Sequence, residues 1–521
     1  MHGAELILGL LIAVAALVTI ARGTGIAYPI LLLVGGLALG LVPGLPRFEF
    51  EPELIFLIVL PPLLYIAAYF TPIRNLRENA VTISALAVAL VVATALAVAM
   101  TVRALVPGVP WSVVIALGAI VAPPDAVAAT AIASRLGLPR QIVTILEGES
   151  LLNDATALTI YRIALAVAAG AQFSAGEAVV TFSGTLLGGA VIGVLVGWVM
   201  AHIRQRIQDT PVEMTLSLLT PFAAYLPAER LGASGVIAAV AAGLFLGHRG
   251  ARIMGADARL TGRAMWEIIT FLLNGFVFIV MGLEVPVLLR ELSRARALEL
   301  VGIGLVVCAV LVVVRTLFVF ATVFVPQHIR RQQDPGWRVA CSLVISAAGM
   351  RGVVSLAAAL ALPVMLPGRG PFPAREALIV ITLTVIVFTL VGQGLALPWL
   401  IRRLRLGGDV GQRFEEATAR RYLVEAATRR IDELYQVWPG HRPLLDQLRG
   451  TYAHRSEHLE RHHEAESEED RELIEHREIR GTVLDAEREA LTRLRADGEI
   501  SEEILRGLER ELDLEERRMD A

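Results

Sequence analysis

The sequence predicts an all-α polytopic membrane protein: about 13 transmembrane helices in a 6+1+6 inverted repeat, followed by a cytoplasmic helical tail. Three observations point there. Hydrophobic residues are 55% of the 521 and charged residues 19%, and the mean hydropathy of +0.62 is too high for a water-soluble domain of this length. The apolar residues fall into about 13 runs, most near the roughly 20 residues that cross a bilayer core about 30 Å thick. Arginine, which supplies all 47 basic residues, is concentrated in alternate loops.

The runs lie near residues 5–21, 27–42, 53–70, 80–106, 111–136, 141–169, 178–203, 211–231, 233–247, 264–289, 298–325, 337–366 and 375–401. The first follows Met1-His2-Gly3-Ala4-Glu5, which lacks the positive flank of a signal peptide, so it reads as a retained helix. One set of loops holds 17 arginines and the other 8, which favours an outer N-terminus and a cytoplasmic C-terminus in a bacterial-type plasma membrane. Six spans, a linker and six spans pair each helix with one seven later and opposite in direction, an inverted repeat common in secondary transporters. Such a repeat puts the binding site on helices broken at matching positions, here spans five and twelve. Both are interrupted, at Ala122-Pro123-Pro124-Asp125 and at Gly349-Met350-Arg351-Gly352, and each break carries one charge.

Residues 1–406 read as the transmembrane domain and 407–521 as a charged tail. Residues 411–521 hold 19 arginines against 29 acidic residues, with helical runs near 414–437 and 456–518 on either side of Trp438-Pro439-Gly440. In the tail His454, His458 and His462 recur every four residues, with His463 and His476 near them. That stripe is either a solvated face or a pH-responsive regulatory patch. Cys308 and Cys341 lie in apolar runs without CxxC spacing, which argues against a disulfide or thiol role.

Charged groups at membrane depth cost several kcal/mol and are functional candidates by default. Asp125, Glu149, Asp154, Arg162 and Arg351 stand out. At about 100° per residue in span six, Glu149 and Asn153 share one face, while Ser150 and Asp154 share another about a quarter-turn away. A midplane aspartate can bind a hard cation or a proton, and the two compete for one charge; that competition is exchange. Asp125 stands beside two prolines that free backbone carbonyls able to coordinate a cation. Arg351, at a broken crossing, needs a counter-charge, and Glu149 is expected to supply it as a structural salt bridge. Arg162 lies eight residues, about 12 Å, beyond Asp154 and is expected to snorkel to the outer interface. Arg315, Glu267 and Glu284, near span ends, are read in the same way.

Five stretches carry a resemblance to a known family: Leu60-Pro61-Pro62-Leu63-Leu64-Tyr65, residues 118–125 ending in Pro123-Pro124-Asp125, residues 146–154 ending in Glu149-Ser150-Leu151-Leu152-Asn153-Asp154, Leu273-Asn274-Gly275-Phe276, and residues 349–355. With these the chain, up to about Leu406, resembles the monovalent cation:proton antiporter-1 family, the NhaP-like sodium/proton exchangers. The resemblance implies an antiporter exchanging Na+, with K+ or Li+ as alternatives, for H+ in pH homeostasis. It implies Asp154 as the carrier of cation and proton. Asp125, the Ser150 hydroxyl and the Pro124 carbonyl complete the cation site, Asn153 steadies the crossing, and Glu149 with Arg351 matches the family's charge pair. Asn153-Asp154, rather than two aspartates, resembles the electroneutral branch, one cation for one proton. A homodimer is implied, with a six-helix core moving against a dimer scaffold; no cofactor and no nucleic acid are expected. Two departures bear on selectivity: Ile66 where an acid often stands, and Pro124 where a threonine does.

An ion channel is the main rival, and would need a continuous polar pore. An enzyme is not expected, since there is no His-Glu-x-x-His, nucleophile elbow or phosphate-binding glycine loop.

Overall fold

The computed structural model describes residues 2–24, 27–42, 55–207, 209–290, 292–324, 335–366, 368, 370–406, 410–461, 482–494 and 502–520. The chain divides into two units, Met1–Gly408 and Asp409–Ala521.

In the first unit, helices form because an apolar run away from water must satisfy its backbone polar groups within itself. They are α1 (His2–Thr24), α2 (Tyr28–Gly40), α3 (Leu60–Phe70, entered through a π-turn at Ile55–Val59) and α4 (Ala80–Leu105). Next come α5 (Trp111–Val121), α6 (Ala126–Leu136), α7 (Arg140–Ala169), α8 (Ala175–Arg204), α9 (Thr210–Arg230) and α10 (Gly235–Ile253). The last are α11 (Ala256–Arg290), α12 (Arg294–Val319), α13 (Pro335–Ala347), α14 (Val353–Leu360) and α15 (Arg375–Leu404). Side chains of Ser174, Asp209, Ser234 and Ser293 accept from first-turn amides and start α8, α9, α10 and α12. Among the described residues six helices, in α4, α7, α8, α11, α12 and α15, are long and apolar enough to cross a membrane, and six shorter apolar helices accompany them.

The predicted run 337–366 is not one helix. It breaks as expected before Val353, but α14 also ends at Leu360, because Pro363 lacks the amide to continue it. A two-residue antiparallel ladder, Met365–Leu366 against Gly370–Pro371, follows.

Packing sorts the helices into two groups. In one, α4 lies against α5 and α12, α7 against α5 and α6, and α15 against α12, α14 and α6. In the other, α2 lies against α11, α10 against α3 and α8, and α9 against α8, α10 and α11. In the second group backbones approach until a side chain no longer fits. A Cβ at Gly36 would run into the Ile279 carbonyl, and one at Gly247 into that of Tyr69. With no hydrophobic drive between helices in lipid, such small-residue contacts provide the packing. Helix α7 belongs to the first group and also touches α3, α8 and α10 of the second.

In the second unit α16 (Val410–Val437) packs on α17 (Arg442–Arg461) around Val424, Ile431 and Leu445, with Tyr435 donating to Asp446. Arg488, on helix 482–494, pairs with Asp513 at 2.8 Å and Glu516 at 2.5 Å on the helix Glu502–Asp520. The side chains of His454 and His458 and the whole of 462–481, with His462, His463 and His476, lie outside the described residues.

Candidate functional site

The site is built at two helix breaks. Pro123 and Pro124 cannot donate amides, so α5 ends at Val121 and α6 restarts at Ala126, with Asp125 as its N-cap. The Asp125 carboxylate accepts from the Val127 amide at 2.8 Å and lies within electrostatic reach of the amide of Val353, which opens α14. One carboxylate thus meets the N-termini of both half-helices, where the backbone carries partial positive charge. The two breaks are joined directly, because the Asp125 amide donates to the Met350 carbonyl at 2.7 Å.

Arg351 takes the opposite ends. Its backbone amide is held by the Thr389 hydroxyl at 3.1 Å. Its guanidinium donates to the carbonyls of Val121 (3.0 Å), Ala122 (3.4 Å) and Gly349. These are the carbonyls left unpaired where α5 and α13 stop, the negative ends of the two helices.

The expected Glu149–Arg351 pair is therefore corrected. Glu149 is buried and bonds Arg315 in bidentate fashion, at 2.6 and 2.9 Å, while the Arg315 Nε donates to the Ile345 carbonyl at 3.2 Å. Arg315 is thus buried in the packed helices and not at the interface. The predicted run continues ten residues beyond it to 325, about 15 Å of helix and too far to snorkel. Arg162 is likewise paired, with Glu229 of α9 at 2.7 Å, a partner that the sequence reading missed.

Helix α7 crosses beside the breaks. Asn153 is fully buried, and its amide donates to the Pro124 carbonyl at 2.9 Å, tying α7 to the first break. Asp154, 6% exposed, is within electrostatic reach of Asp125. It is a partner in neither the Arg162–Glu229 nor the Arg315–Glu149 pair that α7 makes. Ser150, one turn earlier, is half-buried. Ile66 lies away from this set, packed with Ala201, Ala224 and Ala239 in the second helix group. Among the described residues no three His, Cys, Asp or Glu side chains form a metal-holding group. The arrangement is a buried carboxylate that no arginine pairs among the described residues, with a second carboxylate near it and a backbone break alongside.

Gly352 sets the position of Asp125, because a Cβ there would overlap the Asp125 carboxylate. Gly352→Ala is expected to displace that carboxylate and to lower turnover about tenfold or more, since ångström misplacements cost on the order of 100-fold. The control is Gly302→Ala, where nothing lies within 4 Å. Transport rates of the two purified variants, compared with their melting temperatures, separate a site effect from unfolding.

A family model described as sodium/hydrogen exchanger, transmembrane, matches residues 9–403. An uncharacterized Na(+)/H(+) exchanger of Mycobacterium tuberculosis (strain H37Rv) is 35% identical over 98% of this chain and 96% of its own. A sodium, potassium, lithium and rubidium/H(+) antiporter of Bacillus subtilis is 30% identical over 90% of this chain and 71% of its own. The structure of the sodium proton antiporter MjNhaP1 from Methanocaldococcus jannaschii at pH 8 aligns with a TM-score of 0.61. It is 21% identical over 78% of this chain and 100% of that one.

Proposed function

Because the chain belongs to the sodium/hydrogen exchanger family, we propose that it exchanges one monovalent cation, most simply Na+, for one proton at Asp154. The observation that carries this reading is the buried Asp154 carboxylate, left out of α7's arginine pairs and set beside two joined helix breaks. A single carboxylate neutralised by either a cation or a proton, never both, couples the two fluxes. Asp125 and the Ser150 hydroxyl are the further cation ligands, and Asn153 holds the Pro124 carbonyl in place on the same side. Glu149 with Arg315 is the structural pair in place of Glu149 with Arg351.

The same reading includes 13 spans in a 6+1+6 repeat, an outer N-terminus, a cytoplasmic tail and a homodimer in a bacterial-type plasma membrane. The first helix group acts as the moving core and the second as the scaffold. The breadth named for the Bacillus subtilis relative favours a second reading of the cation, with K+ and Li+ accepted beside Na+.

The test is exchange in proteoliposomes with an imposed proton gradient and Na+, K+ or Li+ outside. Saturable, proton-coupled flux is expected, at the same rate whether the membrane potential is clamped at zero or inside-negative. Cation flux that runs without proton movement identifies a channel and overturns the proposal. Voltage-dependent coupling overturns the one-for-one stoichiometry.

A further inference from the structure

Beyond Asp154, α7 carries a second polar feature. Tyr161, seven residues on, projects within about 20° of Asp154's direction and about 10 Å further along the axis. Tyr161 is buried, and its hydroxyl has no hydrogen-bond partner among the described residues. With Leu158 and Arg162 it forms one wall of a cavity of about 320 Å³. Tyr225 and Glu229 of α9 and the π-turn ahead of α3 form the other walls. One wall therefore belongs to the first helix group and the rest to the second.

The Arg162–Glu229 pair bridges this seam at 2.7 Å. Its two members are held differently. Glu229 also accepts the amide of Gly235, the first residue of α10, at 3.0 Å, so its carboxylate is anchored to the second group. Arg162 is half-exposed and is carried by α7. Withdrawal of Arg162 leaves an oriented carboxylate, a spare phenol oxygen and room for water, which is the oxygen-rich surrounding a hydrated monovalent cation takes.

We propose that this cavity is a relay site for the hydrated cation, two turns from Asp154, and that Arg162 is its gate, competing with the cation for Glu229. The proposal rests on the reading of Asp154 as the carrier. Because guanidinium and cation bear the same charge, the exchange at Glu229 leaves the local charge unchanged.

Opposite effects follow from the two neutral variants. Arg162→Gln removes the competitor, and the half-saturating cation concentration falls severalfold. Glu229→Gln leaves a positive charge at the entrance, and it rises severalfold; the double variant returns near the starting value. If both single variants lower the melting temperature while cation affinity stays put, the pair is only a brace and the proposal fails. Leu158→Cys gives an independent reading, since the native Cys308 and Cys341 are both buried. A membrane-impermeant cationic thiol reagent is expected to block its exchange from one side of the membrane, with Na+ slowing the block; no reaction from either side overturns the relay site. Asp154→Asn run in the same vesicles distinguishes the two ideas. If that variant is inactive while the gate variants leave affinity unmoved, only the relay site falls. An active Asp154→Asn overturns the carrier reading itself.

Discussion

Asp154→Asn is expected to reduce proton-coupled cation flux to the rate of protein-free vesicles while the protein folds and purifies normally. The substitution keeps shape and removes the charge, so the side chain can neither hold a cation by attraction nor carry a proton at neutral pH. Stability should not suffer. A buried carboxylate without an arginine partner costs several kcal/mol by insertion scales, and the amide relieves part of that, so the melting temperature in detergent is unchanged or raised. A variant that exchanges at full rate would sink the assignment, and one that fails to fold would give Asp154 a structural role instead.

The second large effect concerns Glu149 and Arg315, both almost wholly shielded, at 1% and 2% exposed. Removing one partner of a buried pair leaves an uncompensated charge and costs about 3–5 kcal/mol. Glu149→Gln leaves the Arg315 guanidinium without its counter-charge beside the Ile345 carbonyl, and Arg315→Met takes from the carboxylate its bidentate partner. Each single variant is expected to melt far lower than the parent or to be recovered mostly aggregated. Replacing both with apolar residues of similar size avoids a stranded charge, and much of the loss should return. Melting temperatures of the three variants check this. Equal losses in single and double variants would mean that shape, not charge, governs the site.

The contrast between these two carboxylates shows what a sequence can disclose. The helix breaks were legible because their causes are local: two prolines before Asp125, and glycines on either side of Met350-Arg351. Helical spacing put Asn153 on the face of Glu149 but did not disclose that its amide donates to the Pro124 carbonyl. The partner of Glu149 was not legible, because two arginines lie at comparable depth on different helices and only their packing decides which one turns toward it. Arg351 is drawn instead to the carbonyls exposed by the breaks, a demand visible only once α5 and α13 are seen to stop beside it. Glu229 was overlooked for a similar reason, since α9's run gives no hint that its end faces α7.

The crossing has a further consequence in electrical terms. Glu149 pairs with Arg315, Arg351 is within electrostatic reach of both, and Asp125 lies near Asp154. Counted as ionised, three carboxylates against two guanidinia leave the unloaded centre with one negative charge, and either a monovalent cation or a proton brings it to zero. Moving a net charge through hydrocarbon is costly, whereas moving a neutral assembly is not. If Asp154 is the carrier proposed above, the bilayer acts as an insulator that rejects its unloaded form, and slippage without cargo is suppressed by the dielectric rather than by a mechanical lock.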